Sequence, residues 1–313
     1  MRDLSRIPAI SIITPVLNGE KYIAKTIDSV LEMSSGFNVE YIVIDDGSSD
    51  ATPQILQTYG DQLNVITQSN SGESLAVNAG IFAASGKVCL VVSADDPLFT
   101  RRIFEDVEDS FEKDPNLMCL YCDWRIIDDK GDLIRSVIVS EFSHALLIGE
   151  NSVLPGPGAF FRTSAAKAIG GRNPERVFTG DFDFWLRLST RGDFKRRPYE
   201  LAQWRSHQDS TSIKHRGLNM ALERISVIED FLSTNSIESK LARDARASAY
   251  YLASRLAFFD PRIPGKTFLL KSFYFGRGAP AMFRLKEALF ILTTPVSYHS
   301  IRLLQKFNRM VSN

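Results

Sequence analysis

Apolar and polar positions alternate in blocks along the first hundred residues. Residues 9–16 form a short apolar run, predicted as a strand stopped at Pro15, which cannot donate to a ladder. Asn18-Gly19 makes a turn, and Tyr22, Ile23, Ile27, Val30 and Leu31 then recur at helical spacing. Residues 39–44 are β-branched-rich and read as a second strand. Asp50 stands where it would cap a helix through Ile55 and Leu56. A third strand at 63–67, a helix at 72–84 closed by Ser85-Gly86, and a fourth strand at 88–92 complete the series.

Strands alternating with helices mean right-handed βαβ units and a parallel sheet covered on both faces, over residues 9 to 113. From 117 to 139 the rhythm changes to two extended runs around a turn at Asp128-Asp129-Lys130-Gly131. A run at 159–161 leads to a helix from Thr163 to Gly170-Gly171, and residues 181–190 read as a helix with Phe184, Trp185 and Leu188 on its apolar face. After His215 the pattern is helical, with amphipathic stretches at 218–231 and 241–259. The expected class is α/β, a mixed and mainly parallel sheet flanked by helices, with a helical extension.

Composition changes this picture little: 313 residues, 44% hydrophobic and 24% charged, are ordinary for a globular chain. Formal net charge is zero, so no nucleic-acid partner is expected. The charge is uneven, however. Residues 261–313 hold nine cations and one anion, a charge of +8, which leaves −8 on the first 260. Cys89, Cys119 and Cys122 are too few for a disulfide framework. Cys119-Leu-Tyr-Cys122 has metal-ligand spacing, but no second pair completes a zinc site, and its apolar setting reads as strand core. No signal peptide is recognised before the first strand, and a reducing cytoplasm is the expected compartment. The late apolar stretch 288–296 is too short to span a bilayer.

The chemistry collects at strand ends. Asp95-Asp96 follows the fourth strand and Asp45-Asp46 ends the second. Adjacent carboxylates repel unless a positive group compensates them, and a hard divalent cation bridging to phosphate does so at the carboxyl edge of a parallel sheet. The G-x-G-x-x-G dinucleotide fingerprint is absent after the first strand, where the chain reads Thr14-Pro-Val-Leu-Asn-Gly-Glu20, and there is no G-x-x-x-x-G-K-[ST] loop. Without a glycine cradle, phosphates need carboxylate-held Mg²⁺ or Mn²⁺. The acidic pairs suggest a nucleotide-sugar site.

Several segments together carry a family resemblance: Thr14-Pro-Val-Leu-Asn18, Val43-Ile-Asp-Asp-Gly-Ser-Ser-Asp50, Asn70-Ser-Gly72 through Asn78-Ala-Gly80, Ser85-Gly86 and Ser93-Ala-Asp-Asp96. Gly170-Gly171, Gly180-Asp-Phe-Asp-Phe-Trp-Leu-Arg-Leu188 and Trp204-Arg-Ser-His-Gln-Asp-Ser-Thr-Ser212 continue it. In order and spacing the set resembles family 2 glycosyltransferases, over about residues 9–213. The resemblance implies a GT-A fold at 1–213, with a nucleotide-binding half at 1–115 and an acceptor half at 116–213, followed by the extension at 214–313. It implies an inverting transfer of a sugar from a nucleoside diphosphate, UDP- or dTDP-linked, to an acceptor hydroxyl of a glycan or lipid-linked glycan in bacterial polysaccharide or glycolipid synthesis.

Roles follow from the matched positions. Asp46, with Asp45 beside it, matches the residue that binds the nucleotide base, and Pro15, Asn18 and Asn78 are expected to line the donor pocket. Asp95 and Asp96 match the D-x-D region, here with Ser93 in the first acidic position, and are expected to share metal and ribose binding. His207 matches a late histidine that completes the metal or diphosphate shell, and Arg205 is expected to contact diphosphate. Asp181 matches the candidate base, with Gly180 in place of the usual Glu and Asp183 as the alternative. Val77 stands where the family often has Arg. Trp185 reads as core.

The basic, aromatic segment 261–313 is expected either to touch an anionic membrane on its inner face or to cap the acidic domain. Two competing functions remain open at this level: a sugar nucleotidyltransferase, and a binding protein on a decayed transferase fold.

Overall fold

The structure is a computed structural model and describes residues 9–151, 155–207, 217–256 and 265–275. These form two compact units, 9–142 with 155–207, and 143–151 with 217–256 and 265–275.

The first unit is built on an eight-stranded sheet. Its strands are β1 (Ile10–Val16), β2 (Val39–Asp45), β3 (Asn64–Thr67), β4 (Val88–Val91), β5 (Leu117–Ile127), β6 (Leu133–Val137), β7 (Phe160–Arg162) and β8 (Asp193–Arg205). The order is β3-β2-β1-β4-β7-β5-β6, and β8 also pairs with β5. The pairs β1–β2, β1–β4, β2–β3 and β5–β8 are parallel, while β7 is antiparallel to β4 and β5, and β6 to β5. The expected mixed, mainly parallel sheet is therefore present.

The helices of this unit are α1 (Ile23–Met33), α2 (Thr52–Gln57), α3 (Glu73–Ala83), α4 (Val107–Lys113), α5 (Thr163–Ala168) and α6 (Gly180–Ser189). In α1 the buried residues Ile23, Thr26, Ile27 and Val30 keep the 3–4 spacing of one face. The core joins that face to Ile10, Ile12, Tyr41, Val43 and Leu90 of the sheet. Gly80 lets α3 lie directly on β1, because a Cβ there would stand 2.3 Å from Ile13 Cγ2. Trp185 is buried against Phe161 and Phe184, as the helical spacing indicated.

Three local expectations change. First, β1 continues through Pro15, which pairs in register with Ile44. The β1–β4 ladder ends at Ile13 and Val91, with Val92 N–H closing on the Ile13 carbonyl. The missing donor of Pro15, two residues on, faces that same side, where no ladder bond is required. Second, Asp50 takes the Thr52 N–H (2.9 Å) while Ala51 sits at the helix boundary, so its carboxylate does the capping from one residue further out. Third, β8 carries no apolar alternation that the sequence could reveal. Its Arg196 and Glu200 pair with Asp123 and Arg125 of β5, Arg196 holding the buried Asp123 at 2.6 Å, while Lys195 and Arg197 reach Asp114 and Asp106 at the two ends of α4. The turn at 128–131 forms as expected, with Asp128 Oδ1 accepting the N–H groups of Lys130, Gly131 and Asp132, each at 2.9 Å.

The second unit contains a π-helical turn (Ala145–Glu150), α7 (Leu218–Thr234), α8 (Ser239–Leu256) and α9 (Gly265–Phe275). Ala221, Ala253 and Phe268 form its small core, and the Ser272 hydroxyl donates to the Ala247 carbonyl at 2.7 Å. The expected helix at 241–259 is seen to Leu256, and its last three positions lie outside the described residues, as do the motif residues 208–212 and most of 261–313. Among the described residues no helix is long and apolar enough to cross a membrane.

All three cysteines are free and buried. Burial pushes the Cys89 and Cys122 thiols up to about 12 and the Cys119 thiol well above its ordinary value. In a thiol-reagent assay at pH 8 we expect three thiols to react after guanidinium unfolding and none to react rapidly in native protein. Rapid reaction of a native thiol contradicts this packing.

Candidate functional site

The loops that follow β1, β2, β3 and β4 all leave the same edge of the parallel sheet, the edge where ligands bind in such folds. The first two are laced together. Asn18, in the left-handed region (φ 53°), accepts the Ser49 N–H at 2.8 Å and donates its own N–H to Ser48 Oγ at 2.9 Å. Gly19 N–H reaches Thr52 Oγ1 (2.8 Å), and Glu20 accepts the Ala51 N–H (2.9 Å). Pro15 is half-buried at the base of this lacing, and Asn18 is exposed.

Asp45 and Asp46 are both buried. Asp45 Oδ1 accepts the Ser48 N–H at 2.9 Å. Asp46 holds the next loop: Oδ1 accepts from Gln68 Nε2 (2.7 Å) and Ser71 N–H (2.9 Å), and Oδ2 accepts from Gly72 N–H (2.9 Å). The second acidic residue therefore orders loop 68–72 and the entry to α3. Asn78 has a similar clamping geometry. Its amide nitrogen donates to the Arg172 carbonyl (2.8 Å) and its oxygen accepts the Arg172 N–H (2.7 Å).

Asp95 and Asp96 diverge. Asp96 is buried, and its Oδ1 accepts the backbone N–H of Arg205 at 2.7 Å. Burial, and then the neighbouring Asp95 charge, raise its carboxyl well above the usual carboxylate range. Asp95 stays partly open, its side chain 28% exposed, and its Oδ2 lies 2.7 Å from His207 Nε2. Arg205 is 3% exposed, and it donates through Nε to the Asp95 carbonyl (2.8 Å) and through a terminal nitrogen to the carbonyls of Asp128 (3.0 Å) and Asp129 (3.1 Å). It works as an internal strut beneath Asp95.

The two carboxylates of α6 differ as sharply. Asp183 is buried and ion-paired with Arg187 at 2.6 Å. Asp181 is exposed in the first helical turn, with one oxygen on the Phe182 N–H at 2.7 Å. Gly180 lies against α3, where a Cβ would stand 2.8 Å from Ser74 Oγ.

Among the described residues no group of three or more His, Cys, Asp or Glu gathers as a ready metal cage. Mg²⁺ and Mn²⁺ sites in phosphate chemistry do not need one, because phosphate oxygens and water fill most of the shell. Adjacent ligands of an octahedral ion at ~2.1 Å stand ~3 Å apart. The Asp95 oxygen and the His207 nitrogen, at 2.7 Å, match that edge to within a few tenths of an ångström. The donor chemistry fits a divalent ion.

Lys21, Tyr22 and Asp129 also belong to this neighbourhood, although the sequence marked them only as helix start and turn. Tyr22 packs its ring 5.3 Å from that of His207. A signal was present: aromatic and basic residues directly after the Asn18-Gly19 turn, rather than inside the helix.

The sheet order and its flanking helices define the GT-A class of fold, here with a helical C-terminal region. The profile of the family described as Glycosyl transferase family 2 matches residues 11–170, and the chain belongs to that family. An uncharacterized glycosyltransferase of Rickettsia prowazekii is 28% identical over 232 residues, 72% of this chain and 71% of the relative. Chondroitin synthase of Escherichia coli is 30% identical over 217 residues, 67% of this chain but only 31% of the synthase. Among solved structures, TarS residues 1–349 of S. aureus in complex with UDP-GlcNAc superposes with a TM-score of 0.66 at 16% identity, covering 84% of this chain and 79% of that one. The protein is a glycosyltransferase related to polysaccharide synthases.

Removing Asp46 takes the shared acceptor away from three part-buried N–H donors that order loop 68–72, whereas Asp181 holds nothing beyond its own helix turn. Urea denaturation is expected to show Asp46→Ala losing about 2–4 kcal/mol and Asp181→Asn staying within about 0.5 kcal/mol of the parent. Equal losses would contradict these assignments.

Proposed function

We propose that the chain is a metal-dependent, inverting glycosyltransferase. It uses a UDP or dTDP sugar as donor and a glycan or lipid-linked glycan as acceptor, in bacterial polysaccharide or glycolipid synthesis. The observation that carries the reading is the Asp95–His207 pair: two metal-type donors 2.7 Å apart, partly exposed at the end of β4.

In this reading Asp95 and His207 hold Mg²⁺ or Mn²⁺, which when bound neutralises the donor's diphosphate and makes it a better leaving group. Asp96 and Arg205 keep Asp95 in place. The base of the nucleotide lies along the Pro15–Asn18 and Asp45–Asp46 loops, whose shape the Asn18–Ser49 and Asp45–Ser48 bonds preserve, while Asp46 orders the neighbouring loop 68–72. The acceptor hydroxyl attacks the anomeric carbon as the carbon–oxygen bond to diphosphate breaks, and its proton passes to the Asp181 carboxylate. Asp183 is tied to Arg187, so Asp181 suits the base and Asp183 does not. One displacement inverts the anomeric centre.

The nucleotidyltransferase alternative lacks a glycine- and basic-rich loop after β1. The scaffold alternative is supported by Ser93 and Gly180, which replace acidic family residues. The +8 charge of residues 261–313, with Leu270, Lys271 and Tyr274 exposed on α9, supports peripheral contact with the inner face of an anionic membrane.

The reading predicts that UDP or dTDP raises the melting temperature more with Mn²⁺ than without, and that Asp95→Asn abolishes the difference. It further predicts that Asp181→Asn lowers kcat by about 10²–10⁴-fold in sugar transfer while leaving the metal-dependent shift intact. No metal dependence in the parent protein would sink the proposed chemistry, and full activity in Asp181→Asn would remove the base.

A further inference from the structure

His207 follows the last residue of β8 by two positions, outside regular structure, so its ring plane is set by neighbours rather than by a strand. One neighbour is the Asp95 carboxylate. Another is Tyr22, whose ring lies 5.3 Å away at an angle of 43°. The Arg205 guanidinium stands 5.0 Å from the opposite partner of this stack, the Tyr22 ring. The Tyr22 hydroxyl donates to Asp129 Oδ1, which also receives Lys21 Nζ at 2.7 Å. Arg205 meanwhile holds the backbone of the same turn through the Asp128 and Asp129 carbonyls. The turn is thus gripped at the Asp129 carboxylate by the Lys21 and Tyr22 side chains, just before α1, and at its backbone carbonyls by the Arg205 side chain of β8.

We infer that Tyr22 is a positioning residue for the divalent-ion site. Its ring fixes the plane of the His207 imidazole, and its hydroxyl anchors that ring to the 128–131 turn. The inference rests on the ion-binding reading above. An imidazole ligand offers its lone pair in the ring plane, so a ring free to rotate spends less time aimed beside Asp95, and groups that orient ligands this way strengthen metal binding. The Lys21–Asp129 contact does not account for the arrangement alone, since both side chains are more than half exposed and such pairs contribute little. Its place is to hold the carboxylate that Tyr22 uses.

The test is Mn²⁺ binding to the full chain, read by the loss of the free-ion electron paramagnetic resonance signal in the presence of UDP, with the metal-free melting temperature measured alongside. Tyr22→Leu removes ring and hydroxyl and is expected to weaken Mn²⁺ binding by about tenfold. Tyr22→Phe keeps the ring and is expected to lie nearer the parent than Tyr22→Leu. Asp129→Ala is an exposed substitution that frees the Tyr22 hydroxyl, and it is expected to weaken binding by about threefold, which covers the case of an unfolded Tyr22→Leu. Parent-like Mn²⁺ affinity in both Tyr22→Leu and Asp129→Ala, or in Asp129→Ala alone if Tyr22→Leu does not fold, overturns the inference while leaving the ion site standing. A parent chain that takes up no Mn²⁺ overturns the ion site itself, and this inference with it.

Discussion

A buried carboxylate ties the end of β4 to the end of β8, and the candidate site depends on that tie. Asp96 accepts the Arg205 N–H at 2.7 Å, and Arg205 returns a bond from Nε to the Asp95 carbonyl at 2.8 Å. Two strands that do not pair with each other in the sheet are thereby locked together beyond it. The lock puts His207 within hydrogen-bonding distance of Asp95, 112 positions away in the chain. A buried acidic group is costly unless its oxygens are satisfied, which explains why such a residue is retained at a junction rather than in the sheet.

The same division of labour recurs around the site. In two of the three acidic pairs, one member is absorbed into structure and one is left more available. Asp96 is absorbed and Asp95 partly open. Asp183 is paired with Arg187, and Asp181 faces solvent. The pair at the end of β2 departs from this, since both members are buried, and Asp46 spends its oxygens on loop 68–72. Carboxylates that must meet a cation or take a proton need open lone pairs, and those that shape loops need closed ones.

The first half of the fold was legible because buried parallel strands read as apolar runs and their crossover helices keep a 3–4 period. The strand-end carboxylates were legible for the same reason, as polar residues interrupting those runs. What stayed hidden was set by long-range pairing. β8 is carried by Arg196–Asp123 and by its register on β5, neither of which leaves a local pattern. Pro15 looked like a strand stop because its missing donor matters only if a neighbouring ladder reaches it. Arg205 resembled a diphosphate ligand in its motif, and only the fold shows its guanidinium turned inward to three carbonyls. Tyr22 sat at the start of an amphipathic helix, and nothing in its spacing revealed a histidine 185 positions later.

The central claim is that Asp95 and His207 are two ligands of one divalent ion. Anomalous scattering at the manganese edge from crystals grown with Mn²⁺ and UDP tests it directly. The account predicts a single strong peak within ~2.3 Å of both an Asp95 carboxylate oxygen and His207 Nε2, touching the diphosphate. A peak coordinated elsewhere, with His207 still hydrogen-bonded to Asp95, would contradict it.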